Sequence, residues 1–299
     1  MSLETISTRS FQDMYSQYVF DEENDIFYHS LHPEFLRWQK SVNELQSELI
    51  QREYKKVPQN NLLRRYDREL KNNGIVLLDH EAEYCRRTQL MIGSLLKTAH
   101  ANKLFINQIE KDIQCGIRSR LVPIDEIFNI ESCDGIHLTP EILRICWNYF
   151  QGPFRISRRP SFALDALTPH ALEKHKDTQL FHSDPDDFRI LKFFIYLNDV
   201  NYSNGPFEYL VNSHLQPYVR FFSPSEGFRL SQKQVKHLGF NKLVTCTGKA
   251  GTMLVADTVG IHRGKAHVAG HRIRVQFMAT SVQPLLQNFL ANSVEISQI

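Results

Sequence analysis

With 299 residues, 42% of them hydrophobic and 23% charged, the chain carries enough apolar material for a sizeable core and has an ordinary globular balance. A formal net charge of +2 gives no electrostatic reason to expect a nucleic-acid or membrane partner, and no apolar stretch is long enough to span a bilayer. The five cysteines (Cys85, Cys115, Cys133, Cys146, Cys246) are scattered, odd in number and without Cys-x-x-Cys spacing, which argues against a disulfide framework or a cysteine-based zinc site. No basic run followed by an apolar one opens the sequence, so no signal peptide is expected and the expected location is cytoplasmic.

Residues 1–33 are polar with scattered aromatics and carry no assignable pattern. Over 34–56, Phe35, Trp38, Val42, Leu45 and Leu49 recur at steps of three and four, the stripe of a packing helix that ends at Val57-Pro58. Asn61 is placed to cap a second helix over 62–72, closed by Asn73-Gly74, and a strand follows over 74–78. A third helix is expected over 81–103, and 121–135 is ambiguous. Thr139-Pro140-Glu141 reads as an N-cap with proline at the first helical position, opening a helix that runs to Phe150. After Gly152-Pro153, strand-like runs dominate: 154–157, 179–182, 189–197, 207–211, 242–246, 252–257 and 271–281. Residues 223–239 read as an insertion able to act as a lid, and the tail from Pro284 as a helix that frays. Helices first and strands second define an α+β chain with a β sandwich or barrel, divided into an N-terminal helical segment over 1–60 and the main domain over 61–299.

His182-Ser183-Asp184 is the pattern that carries chemistry. Residues two apart on an extended chain share a face, so an imidazole and a carboxylate can grip one ion together. They are two thirds of a 2-His-1-carboxylate site, the arrangement that holds non-haem Fe(II) with positions left open. The spacing alone is weak. Chance gives about 1.4 such pairs in this composition, and the chain holds three: His32/Glu34, His175/Asp177 and His182/Asp184. Glu34 suits a helix start, and His175 lies in a charge-rich run. Only His182 adjoins strand signals.

The third ligand is expected to be His262, at the end of the apolar run 251–262, rather than His214, His267 or His271. His214 is expected to pack or cap a turn, and His267 and His271 to be solvated. The runs 251–262 and 271–280 read as a hairpin that sets an arginine opposite His262. Arg272 and Arg274 share one face, and either fork suits a carboxylate; Arg274 is preferred because the strand continues beyond it. Lys192 shares a face with Phe194, Tyr196 and Asn198 and is a candidate second carboxylate contact. The basic set Arg155, Arg158, Arg159, Lys174 and Lys176 reads chiefly as solvated surface.

Together, His182-Ser-Asp184, Asn204-Gly-Pro-Phe-Glu-Tyr209, Ser213-His214, His262-Arg-Gly264 and the arginine strand resemble the phytanoyl-CoA dioxygenase family of Fe(II)/2-oxoglutarate oxygenases. The resemblance implies a double-stranded β-helix (jelly roll) with helices packed outside. It places iron on His182, Asp184 and His262, and 2-oxoglutarate on Arg274 or Arg272, with no catalytic residue beyond the metal ligands. The implied activity is oxidation, with O2, of a small-molecule or carrier-bound substrate, releasing succinate and CO2. Related halogenases replace the acidic ligand by a small residue; Asp184 therefore favours hydroxylation or another oxidation over halogenation. Two other readings use the same residues: a jelly-roll protein that binds metal or ligand without catalysis, and a cupin-like zinc hydrolase. The intact triad with the arginine argues against the first, and the second has no need of an arginine opposite His262.

Overall fold

The computed structural model describes residues 15–21, 23, 26–31, 61–78, 86–115, 121–122, 135–166, 179–184, 186–187, 189–215, 219–222, 229–240, 242–281 and 293–296. The helix expected over 34–56 lies outside them, as do His32, Glu34, Lys174, His175, Lys176 and Asp177. Strands β1 (Tyr15–Asp21) and β2 (Ile26–Leu31) form a hairpin where the sequence had no assignable pattern. Then come α1 (Asn61–Asn73), β3 (Ile75–Leu78), α2 (Arg86–Ala101), α3 (Lys103–Gln114), β4 (Leu121–Val122) and α4 (Pro140–Phe150). The strands β5 (Phe154–Ser157), β6 (Ser161–Ala166), β7 (Ile190–Tyr196), β8 (Phe207–Leu210) and β9 (Val219–Phe222) follow. Next are α5 (Gln232–His237), β10 (Leu243–Cys246), β11 (Met253–Asp257), β12 (His262–Gly264), β13 (His271–Thr280) and β14 (Ser293–Ile296).

The expected α+β jelly roll is present. Its larger sheet has eight strands, in the order β14-β5-β13-β7-β11-β3, with β6 beside β13 and β4 beside β6. A smaller sheet runs β10-β8-β12, and β9 joins the N-terminal hairpin as a third sheet, β1-β2-β9. All the pairings are antiparallel.

The period of two along the central strands decides what faces what. On β7, Leu191, Phe193 and Ile195 enter the core shared with the helices, while Phe194 and Tyr196 enter a second core with Phe207 and Tyr209 of the smaller sheet. On β11, Met253 and Val255 take the first face and Leu254 and Ala256 the second. On β13, Ile273, Val275, Phe277 and Ala279 pack toward the helices, which turns Arg272, Arg274 and Gln276 into the space between the sheets. Phe193 and Phe277 are direct cross-strand neighbours whose rings stack at 4.7 Å, so the register that buries them also fixes the arginines on the opposite face.

Several expectations need correction. The helix expected over 81–103 is α2, and a further helix not foreseen, α3, follows after Asn102, whose side chain donates to the Thr98 carbonyl at 2.9 Å. Strand β6 was not foreseen, and at the tail Ser293–Ile296 is a strand on β5, not a helix. The hairpin expected from 251–262 and 271–280 does not exist. The first run breaks at a turn after Asp257; β11 stays in the larger sheet and pairs with β7 and β3, whereas β12 crosses to the smaller sheet and pairs with β8. Strand β13 instead pairs with β7 and β6.

Candidate metal centre and the pocket beside it

His182 is drawn against the distal histidine by backbone alone. The two residues form an antiparallel bridge with both N–H···O bonds at 2.9 Å. Asp184 N donates to Thr258 O at 2.9 Å, the Ser183 hydroxyl donates to Val259 O, and Thr258 N donates to Ile190 O at 3.0 Å. The segment 182–184 is thus zipped onto the turn 258–262. That turn is itself anchored: Tyr209 Oη donates to Asp257 O at 2.8 Å, the Tyr149 hydroxyl donates to the Asp257 carboxylate, and Ser213 Oγ accepts from Ile261 N at 2.7 Å. Gly260 is required where Tyr209 crosses it, since a Cβ there would lie 1.9 Å from the Tyr209 hydroxyl.

His182, Asp184 and His262 are all buried, and one potential ligand atom from each lies within 4.8 Å of the others. His262 Nε2 is 3.6 Å from Asp184 Oδ2, and His182 Nε2 is 3.9 Å from Asp184 Oδ1. His182 Nδ1 lies 2.9 Å from Leu180 O, and His262 Nδ1 lies 2.9 Å from Gly260 O. A carbonyl can only accept, so each Nδ1 carries the hydrogen and each Nε2 presents its lone pair to the space beside Asp184. Burial holds both imidazoles below their ordinary pKa; for His182 the charge of His262 adds to it, and Arg229 acts in the same direction on both rings. Burial also pushes the Asp184 carboxyl up, but the Lys192 ammonium, His262 and His182 together outweigh it and hold the group well below the usual carboxylate range. Two neutral nitrogen donors and one carboxylate are the donor set of a divalent metal, and their geometry fits one.

The pocket beside this cluster is lined by Lys192, Phe194, Tyr196, Phe207, Arg272, Arg274 and Gln276 together with the three candidate ligands. Arg272 and Arg274 both reach it, by the alternation of β13 and not by a hairpin opposite His262. The residue facing His262 across the smaller sheet is Tyr209. Lys192 is in the pocket as well, yet it points to the metal end: its Nζ is 2.7 Å from Asp184 Oδ2 and 3.9 Å from Asp186.

Of the rival histidines, His214 caps a helix carbonyl, with Nε2 2.9 Å from Lys71 O. His271 pairs with Glu110 at 2.8 Å. His267 is buried, contrary to the solvated position expected of it, packed where Gly205 turns at φ +66°. Arg155 pairs with Glu295, and Arg158 and Arg159 are exposed.

Three residues of the site escaped sequence reasoning. Asp165 on β6 joins both arginines, with Oδ2 3.0 Å from Arg272 Nη2 and also accepting from Arg274. Tyr209 and Asp257 brace the turn that presents His262. A lone carboxylate inside the apolar run 162–166 was the available signal for Asp165, because acids are seldom fully buried without a partner.

Comparison with known proteins agrees with this architecture. Residues 165–275 match the model of the family described as phytanoyl-CoA dioxygenase, the family the sequence resembles. EctD from S. alaskensis superposes with a TM-score of 0.52 in its apoform and 0.50 with bound Fe. Each of these pairs is 15% identical over 76% of this chain and 80% of the other. SnoN, the non-haem alpha-ketoglutarate-dependent epimerase of nogalamycin biosynthesis, is 14% identical with a TM-score of 0.45, over 74% of this chain and 83% of that one. No curated protein sequence matches. Among the described residues, no helix is long and apolar enough to cross a membrane.

Proposed function

We propose that the protein is an Fe(II)/2-oxoglutarate-dependent oxygenase that hydroxylates a small-molecule or carrier-bound substrate. The observation that carries this reading is the convergence, in one pocket, of a His182–Asp184–His262 donor set and the Arg272/Arg274 pair. The match to the phytanoyl-CoA dioxygenase family over residues 165–275 supports it. His182, Asp184 and His262 would hold the iron, which when bound supplies activation of O2 coupled to oxidation of 2-oxoglutarate to succinate and CO2.

The chain's own residues bind, orient and exclude water. Arg272 and Arg274 receive the far carboxylate of 2-oxoglutarate. The guanidinium of Arg274 already donates through Nε to Gln276 at 3.0 Å, whereas the buried Nε of Arg272 has no acceptor among the described residues. That makes Arg272 the stronger contact, reversing the preference drawn from the strand pattern. Phe194, Tyr196 and Phe207 form the apolar walls that keep solvent from the centre. Lys192, on the metal side, is not a contact of the far carboxylate while it pairs with Asp184. The presence of Asp184 favours hydroxylation over halogenation.

One observation favours a non-catalytic binding protein: the Lys192 ammonium already neutralises Asp184. A single anaerobic titration decides. Fe(II) and then 2-oxoglutarate are added to the wild type, to Asp184→Ala and to Arg272→Ala/Arg274→Ala. The expected result is a visible charge-transfer band of chelated 2-oxoglutarate in the wild type only, with iron retained by the arginine variant. Bound iron with no band in the wild type would retire the oxygenase reading.

A further inference from the structure

We propose that Asp165 is the residue that makes the arginine end of the pocket a single-carboxylate receptor. It positions both guanidiniums and sets their net charge. The proposal rests on the reading that Arg272 and Arg274 receive a carboxylate.

Asp165 lies on β6 directly opposite Arg272 of β13, and Arg274 follows two residues along the same face. All three side chains are buried: Asp165 is 8% exposed, Arg272 5% and Arg274 9%. Two guanidiniums this close repel each other in a low-dielectric setting. The Asp165 carboxylate removes that repulsion by accepting from both through one oxygen, Oδ2. Arg272 is further pinned, because it donates to the carbonyl of Gly205. The arginines are therefore held before any ligand arrives, with their orientation fixed by charge-assisted bonds.

Two guanidiniums and one carboxylate leave one net positive charge. One ligand carboxylate balances it, whereas a doubly charged phosphate would be over-charged for the site. The buried Nε of Arg272, with no acceptor among the described residues, is a donor for that carboxylate.

Charge and alignment predict opposite outcomes when Asp165 is neutralised. Asp165→Asn makes the pocket one charge more positive, so charge alone predicts tighter binding of a dicarboxylate. Alignment predicts weaker binding, because an amide oxygen holds two guanidiniums poorly.

Two titrations read this. The first follows 2-oxoglutarate binding to the Fe(II)-loaded protein anaerobically by the charge-transfer band. The second follows glutarate, which lacks the 2-oxo group, binding to the metal-free protein by calorimetry. The expected result for Asp165→Asn is at least tenfold weaker binding of both ligands, with Fe(II) affinity within twofold of wild type. Equal or tighter binding of either ligand would overturn the proposal. Should Asp165→Asn fail to fold, Asp165→Glu keeps the charge and moves the oxygens by one methylene. A loss of threefold or more in glutarate affinity then supports alignment, and no loss refutes it. A wild type that binds iron and glutarate but not 2-oxoglutarate breaks the oxygenase reading alone; one that binds neither acid breaks both.

Discussion

The two ends of the pocket are held by different means. At the candidate metal end, His182, Asp184 and His262 are placed by main-chain hydrogen bonds between the segment 182–184 and the turn 258–262. At the far end, Arg272 and Arg274 are placed by a side-chain carboxylate from β6. A backbone-held site is sensitive to anything that moves the turn, including the side chains that anchor it. At a side-chain-held site the backbone of β13 is locked by its register with β7, yet one carboxylate on another strand, Asp165, is the contact the two arginines share. The near end is thereby suited to fixed coordination, the far end to tuning of charge.

The largest expected effect removes the one anionic donor. Asp184→Ala leaves two neutral imidazoles and lets Lys192 face them, so Fe(II) affinity is expected to fall by about 100-fold or more, exceeding the usual loss from an outer hydrogen-bond partner. Anaerobic iron titration measures it; affinity within a few-fold of wild type would mean the cluster is not the metal site. The next effect acts through the backbone. In Gly260→Ala the new Cβ meets the hydroxyl of Tyr209, a fully buried ring tied to Asp257 O and unable to retreat. A cost of about 3 kcal/mol is expected in urea unfolding, together with about tenfold weaker iron binding, although no ligand has been touched. Unchanged iron affinity would show that the turn does not govern the near end.

The same contrast explains how much could be read in advance. The clustering at the near end was legible because its candidate ligands are marked by local pattern. His182 and Asp184 are two apart beside a strand, and His262 ends an apolar run. The face shared by Arg272 and Arg274 was legible from period two. What failed was the route. Two adjacent runs predict a hairpin, but the turn after Asp257 sends β12 into the other sheet, and such a crossing is set by tertiary anchors, Tyr149 and Tyr209, that are far away in sequence. The partners of Asp165 were illegible for the same reason: the lone acid in an apolar run signals burial, but which cations it meets depends on β6 lying beside β13. His267, a polar residue in a short loop, gave no sign that it would pack against the Gly205 turn.

His267 gives a pH test of the far end. Burial first, and then the positive charge of Arg272 and His271, pull its pKa down to about 3. The unfolded chain titrates at roughly 6.5, so between these values the unfolded state holds a proton that the folded state refuses. Stability therefore drops as pH falls from about 6.5 toward 3, approaching about 1.4 kcal/mol per pH unit, and is unaffected by this group above that window. His267→Gln cannot titrate. Its unfolding free energy is expected to lose about 1 kcal/mol less than wild type between pH 7.5 and 5.5, measured by urea denaturation. Parallel profiles would place His267 in contact with water.

The smallest effect separates the turn's anchors from one another. Ser213 Oγ accepts from Ile261 N at 2.7 Å while donating to Leu210 O at 2.6 Å, so one hydroxyl ties β8 to the residue before the distal histidine. In Ser213→Ala the Ile261 amide stays buried with one acceptor gone, at a cost of about 1 kcal/mol. Iron affinity is expected to change by no more than about threefold, because the His182–His262 bridge and the Tyr209–Asp257 bond still hold the turn. Combining Ser213→Ala with Gly260→Ala sharpens the point. If both act through the same turn, their effects on iron affinity will not add, since contacting residues couple. Strict additivity would mean that Ser213 stabilises β8 alone, and that the near end is fixed entirely by the bridge and the tyrosine.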